Sequence, residues 1–176
     1  DNGDAPALLW SNDSRNAAVM VRAIDNKDRW IATVDLAAAK LQPRHRLTDP
    51  AWINWGFNDF GWLADGSTLW YLSEESGYSH LYTLDGGSRA QLTDGKWEAS
   101  SVVPARDGSS FWFLCNRSRL GDYEVCNVPA RGGTVREVTA LDGVESFRLS
   151  PDGARLLVRN SSAYMPPQAY VVDAAG

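Results

Sequence analysis

Asp65-Gly66-Ser67-Thr68-Leu69-Trp70-Tyr71-Leu72 joins a tight-turn pair to a hydrophobic run, and the phrase returns twice downstream. Asp107-Gly108 precedes Phe111-Trp112-Phe113-Leu114, and Asp152-Gly153 precedes Leu156-Leu157-Val158. A second marker closes successive units: Leu47-Thr48-Asp49, Leu92-Thr93-Asp94 and the weaker Val138-Thr139-Ala140. Both markers recur every 42 to 46 residues and keep step with each other. Asp-Gly admits the positive φ that tight hairpin turns need, so each pair marks a corner between strands. A period of this size, with about four short strands per unit, is the sequence signature of a β-propeller blade. The expected fold is all-β: a propeller fragment of about four consecutive antiparallel blades, three to four strands each, forming an open arc.

Outward from that phrase, one partial propeller domain divides at approximately 8–49, 50–94, 95–140 and 141–176. In the second unit the strands are expected near 57–63, 68–73, 80–84 and 89–92, and in the third near 101–104, 110–115, 123–128 and 135–138. The fourth offers 146–149, 155–159 and 168–172. The first has lost the Asp-Gly turn but keeps strand-like segments at 17–21, 29–34 and 42–47. Helical propensity at 37–41 lasts about one turn before Pro43. The stretch 51–62, with Trp52, Trp55, Phe57, Phe60 and Trp62 among Asn and Gly, fits an aromatic link between blades. Most of the eight Trp are expected to fill the wedges between neighbouring blades.

Composition narrows the function classes. The chain is 44% hydrophobic, enough for a packed core, and carries a net charge of -5 with Lys and Arg scattered singly. No nucleic-acid footprint is present, and no run of 18 apolar residues predicts a membrane span. The chain begins at Asp1 with neither an initiator Met nor a signal peptide, as expected of a processed product or of a piece excised from something larger. Cys115 and Cys126 fall on successive strands, where the simplest register sets Cys126 opposite Phe111 or Trp112. Two separate core thiols are therefore expected, not a disulfide.

Hydrolysis by a serine requires a nucleophile on a sharp elbow, a histidine to take its proton and an acid to orient that histidine. No Gly-x-Ser-x-Gly occurs; Gly77-Tyr78-Ser79-His80-Leu81 lacks the final glycine and leads into a strand. His45, between Arg44 and Arg46, reads as a solvated surface residue, and His80 as a structural histidine. Two His and two Cys at unrelated spacings make no zinc site, and no cofactor or metal is expected. No catalytic residue is expected in this chain. The most suggestive stretch is Ser73-Glu74-Glu75-Ser76-Gly77-Tyr78-Ser79, a connection between strands with two carboxylates and an aromatic. Glu74 and Glu75 could hold a cationic group such as a free amine, or be a solvated turn.

Trp52-Ile53-Asn54-Trp55, Phe57-Asn58-Asp59-Phe60 and the run from Trp62 through Ser73-Glu74-Glu75-Ser76-Gly77-Tyr78-Ser79-His80-Leu81-Tyr82 resemble the propeller of the dipeptidyl peptidase IV family. Gln91-Leu92-Thr93-Asp94-Gly95-Lys96-Trp97-Glu98 continues the likeness, as do Asp28-Arg29-Trp30 and Val34-Asp35. Beyond about 130 only the generic blade pattern remains, and the compact, cysteine-poor units point to a bacterial member.

The resemblance implies an eight-bladed propeller over a C-terminal α/β-hydrolase domain in cis that holds a Ser-Asp-His triad. This chain would be four blades from the middle and later part of that ring. It would limit access to, and line, the cavity in which the parent serine exopeptidase removes N-terminal dipeptides from peptides with a free N-terminus. The family's aromatic-basic pair lining the pocket falls on Tyr78 and Ser79, with a hydroxyl in place of the base. The family's glutamate pair that grips the substrate amine lies in an earlier insertion, distinct from Glu74 and Glu75. Substrate-contacting residues are thus expected at Tyr78, Ser79, Glu75 and Glu74. A periplasmic or secreted location follows from the resemblance alone. Uncovered end blades leave two readings open, a homodimer or a monomer whose end faces carry enough polar residues to stay wet. The alternative is a TolB-like periplasmic propeller acting as a protein-binding scaffold, which shares the Pro151-Asp152-Gly153 pattern; residues 52–82 favour the peptidase.

Overall fold

Alternation along the strands sorts the apolar residues onto two faces, and four antiparallel sheets result. The computed structural model describes residues 7–175. The first sheet runs β1 (Ala7–Trp10), β2 (Ala17–Arg22), β3 (Asp28–Asp35) and β4 (Lys40–Thr48). The second runs β5 (Phe60–Trp62), β6 (Leu69–Ser73), β7 (His80–Asp85) and β8 (Ser88–Gln91). The third holds β9 (Ala99–Pro104), β10 (Ser110–Cys115), β11 (Glu124–Pro129) and β12 (Arg136–Glu137). The fourth holds β13 (Val144–Leu149), β14 (Arg155–Ser162) and β15 (Met165–Asp173). Each is a simple meander, and none closes on itself, so the sheets form an open propeller-like arc of blades. Their first strands line one concave groove of about 580 Å³ through Ala7, Phe60, Val102 and Phe147.

Side chains of successive strand residues point to opposite faces. In β6, Leu69 and Tyr71 pack with Ala18, Met20 and Ile31 of the first blade. Trp70 and Leu72 face the other way, against Phe111, Phe113 and Val128 of the third. In β10, Trp112 and Leu114 turn to Leu156 and Val158 of the fourth. The inner blades are covered on both faces, which is why Leu69-Trp70-Tyr71-Leu72 and Phe111-Trp112-Phe113-Leu114 are continuous apolar runs. In β14 only alternate residues are buried, and Leu157 is exposed. Trp70, Trp97 and Trp112 fill seams as expected, whereas Trp10 and Trp52 are exposed.

The turn chemistry is shared by all four blades. In the Asp-Gly corners each aspartate accepts the backbone N–H two residues on, at 2.9 to 3.0 Å, and Gly66, Gly108 and Gly153 have φ of 69°, 71° and 72°. The first blade, which lacks the dipeptide, builds the same corner from Asp13 and Ser14: Arg15 N–H reaches Asp13 at 3.0 Å and Ser14 takes φ 59°. The corner is therefore retained there without its glycine. Among the described residues the one helical element is a 3₁₀ turn at Trp55–Phe57 in the link between the first two blades.

The cysteine expectation is overturned. Cys115 and Cys126 form a disulfide, with Cα atoms 6.0 Å apart. Cys115 pairs with Glu124 across the ladder, so Cys126 sits opposite Phe113. The connection takes up residues 116–123, which sets Cys126 one or two places from the expected Phe111 or Trp112 and makes the cysteines diagonal neighbours on one face. That separation is within disulfide reach.

Candidate functional site

In each blade the connection between the second and third strands lies at the same end as the link to the next blade. Asn26 of the first such connection accepts Ile53 N–H at 2.8 Å and the Trp55 indole N–H at 3.2 Å, both from the following link. Glu98 N–H, in the next link, donates to Asn116 Oδ1 at 2.7 Å. All four second-to-third connections present one exposed large apolar side chain: Ile24, Tyr78, Leu120 and Tyr164, exposed by 78%, 37%, 87% and 100%. Trp52 adds a fifth from a link. At the opposite end, among the described residues, Leu36 is the exposed large apolar side chain in a corner, with Trp10 and Leu41 exposed on the adjoining strand ends of the same first blade. The corners of the other three blades at that end display none.

The second blade's connection is the most heavily anchored. Arg29, fully buried at the start of β3, gives its guanidinium to Asn58 Oδ1 at 2.6 Å, to the Leu72 carbonyl at 2.7 Å and to His45 Nδ1 at 3.2 Å. An arginine can only donate, so His45 Nδ1 accepts and the ring proton sits on Nε2. From there it is donated to Glu75 Oε2 at 2.8 Å, while Arg89 reaches Glu75 Oε1 at 2.6 Å. Burial alone would raise the Glu75 carboxyl; the His45 bond and the positive charges of Arg89 and Arg29 outweigh it and hold it below the ordinary range. Burial pushes Arg29 down to about 10, against the pull of Tyr71, Glu75 and Glu74, so it stays charged at neutral pH. Below the relay Tyr71 and Tyr82 stack at 5.4 Å, and Arg89 lies over the Tyr82 ring.

The four expected contact residues occupy different settings. Tyr78 stands partly exposed beyond Gly77, whose φ of 96° turns the chain. Ser79 is fully buried; its hydroxyl donates to the Ala99 carbonyl at 2.7 Å and its own carbonyl accepts Ala99 N–H at 2.8 Å, tying the second blade to the third. Glu75 is held by the relay. Glu74 is half-buried; burial raises its carboxyl, and a hydrogen bond from the Asn54 backbone opposes that. His45, read from sequence as a surface residue, has a side chain only 6% exposed and is the centre of the relay. Its flanking arginines pointed to solvent, and nothing local marked it as facing the next blade. His80 is structural: its Nε2 donates to the Gly95 carbonyl at 3.0 Å and Nδ1 accepts from Thr93 at 3.1 Å.

Residues 6–167 match the family model described as dipeptidyl peptidase IV (DPP IV) N-terminal region. Dipeptidyl peptidase 4 of Porphyromonas gingivalis superposes with a TM-score of 0.80 at 17% identity, covering 96% of this chain and 24% of that one. A putative dipeptidyl aminopeptidase IV of Bacteroides ovatus gives 0.76 at 17% identity, covering 96% and 27%. At such identity the likeness is one of fold, and this chain spans about a quarter of the length of either structure. With the match extending over nearly every blade, the chain belongs to the dipeptidyl peptidase IV N-terminal region family, that of a non-catalytic propeller preceding a separate catalytic domain.

Proposed function

We propose that this chain is the non-catalytic propeller portion of a bacterial, periplasmic or secreted serine exopeptidase that removes N-terminal dipeptides. Its partner in cis would be a C-terminal α/β-hydrolase domain, and the apolar end of the arc would border the substrate cavity. The observation that carries this reading is the family match over residues 6–167, joined to the one-sided display of Ile24, Tyr78, Leu120 and Tyr164. An end that displays an apolar side chain in every blade fits the wall of a chamber. Within that frame Tyr78 would touch peptide and Glu74 would border it. Glu75 and Ser79, whose polar atoms are already engaged, would position the connection that carries Tyr78.

The test uses the longer protein with its hydrolase domain and Xaa-Pro and Xaa-Ala reporter peptides. Tyr78→Ala should lower kcat/KM by roughly 10-fold, about 1.4 kcal/mol of lost contact. The 176-residue chain alone should turn over none. Unchanged kinetics for the Tyr78 variant would remove it from the pocket, and a parent that binds protein partners but cleaves no peptide would return the scaffold reading.

A further inference from the structure

The seam between the third and fourth blades holds two carboxyl groups on one hydroxyl. Thr139 Oγ1 lies 2.9 Å from Glu124 Oε2 and 2.7 Å from Glu145 Oε2, and it accepts Val125 N–H at 2.8 Å. Two short O···O contacts need two hydrogens, and a threonine hydroxyl has one. The second must belong to a carboxyl. Glu124 is the better place for the negative charge: it is half-buried, accepts Leu141 N–H at 3.1 Å, and feels the charge of Arg119. Glu145 is 3% exposed, its Oε1 has no partner, and it lies opposite Asn160, whose buried Oδ1 also lacks one.

We propose that Glu145 carries a proton in mildly acidic solution and acts as a latch on the seam between the third and fourth blades, released as pH rises through neutrality. The neutral acid donates to Thr139, and Thr139 donates to Glu124, so β11 and β13 are joined through one chain of hydrogen bonds. On ionisation two carboxylates share a single hydroxyl hydrogen and repel. The strands they would part also carry the rim: Tyr123 N–H donates to the Gly143 carbonyl at 3.0 Å, and Gly143 N–H donates to Asp122 at 3.2 Å.

The surrounding charges support this assignment. Burial first, then the charge of Glu124, pushes Glu145 up to about 7 against the hydrogen bonds from Thr139 and Val125. Arg119, the cation that feels the charge of Glu124, is spent on Asp142 at 2.7 Å and Asp122 at 3.2 Å. Glu98 faces Tyr123 at 3.4 Å, and Glu137 on β12 is held by Ser118. On β14 the facing residue is the neutral Asn160, and Arg159 belongs to the alternate face. The folded chain thus binds a proton that the unfolded chain releases near 4.5, so this part of the stability falls as pH rises through about 7.

The experiment compares the melting temperature of the 176-residue chain with that of Glu145→Gln from about pH 5 to about pH 9. The amide stays neutral and keeps a donor for Thr139. Titrations common to both proteins, such as that of His80, cancel in the difference. Wild type should lose roughly 2–4 °C relative to the variant between about pH 6 and about pH 8. A flat difference overturns the proposal. Should the variant not fold, infrared spectra of the wild type decide: a protonated carboxyl band present at about pH 6 and gone by about pH 8 supports the latch, and no such band overturns it. Stability at about pH 8 restored by sodium or calcium, with no protonated carboxyl at about pH 6, would place a cation where we place the proton and also overturns it.

Discussion

Replacing Glu75 with Gln keeps the shape of the side chain but removes the charge shared by His45 and Arg89. Charge-assisted hydrogen bonds are worth roughly twice neutral ones, so the variant should lose about 1–2 kcal/mol of stability. Chemical denaturation at neutral pH checks this. The wild-type contribution has a defined pH sense: with the folded carboxyl held below its unfolded value, it is complete above the ordinary carboxylate range and is lost as pH falls through the lowered value. The difference between wild type and variant should therefore shrink in acid. At this scale the sequence was only half legible. Tyr78 is recognisable as a loop aromatic because Gly77 and the flanking Ser mark a turn. Ser79, by contrast, is consumed by a contact to Ala99, twenty residues away, and His45 by contacts to residues 16 and 30 positions away. Such partners depend on how one blade packs on the next, which local spacing does not encode.

The blade is the unit at which the sequence reads best, because turn chemistry and alternation are both local. The Thr of the closing marker has a common task in the second and third blades. Thr93 Oγ1 accepts Leu81 N–H at 2.9 Å and Thr139 Oγ1 accepts Val125 N–H at 2.8 Å, each serving the third strand of its own blade beyond the last ladder pair. The residue just before that strand N–H differs, as His80 in one blade and Glu124 in the next. Thr93→Val would leave Leu81 N–H and His80 Nδ1 buried without a partner. The expected cost is about 2–4 kcal/mol, with Thr93→Ser recovering most of it. Thermal melts of both variants check it; a loss in the Ser variant with Val close to wild type would mean that the methyl group, not the hydroxyl, is what the blade uses. The missed disulfide belongs to the same scale. The ladder rule was right, but the length of the 116–123 connection set the register, and a loop without a standard turn signature does not announce how many residues it absorbs.

Across the whole molecule, the two inner blades are sandwiched and the two end blades are not. Leu8, Trp10, Leu157 and Val171 are exposed on the end sheets, where further blades would cover them in a longer ring. Isolated, these faces should seek cover from a second copy, and a two-fold pairing closes without forming a filament. Sedimentation velocity over a roughly hundredfold concentration range should show a species heavier than the 19.3 kDa chain; a single 19.3 kDa species throughout would show that the faces stay wet. Among the described residues no helix is long and apolar enough to cross a membrane.

The central claim is that the end of the arc bearing Ile24, Tyr78, Leu120 and Tyr164 borders a peptide chamber. Photo-crosslinking from that end in the longer protein tests it most directly. Benzoylphenylalanine would replace Tyr78 in one variant and Leu36, at the opposite end, in another, each irradiated with a labelled peptide bearing a free N-terminus and a non-cleavable bond. The account predicts a crosslink from position 78 that excess unlabelled peptide abolishes, and none from position 36. Capture at position 36 alone, or at neither position while the peptide still inhibits the enzyme, would contradict it.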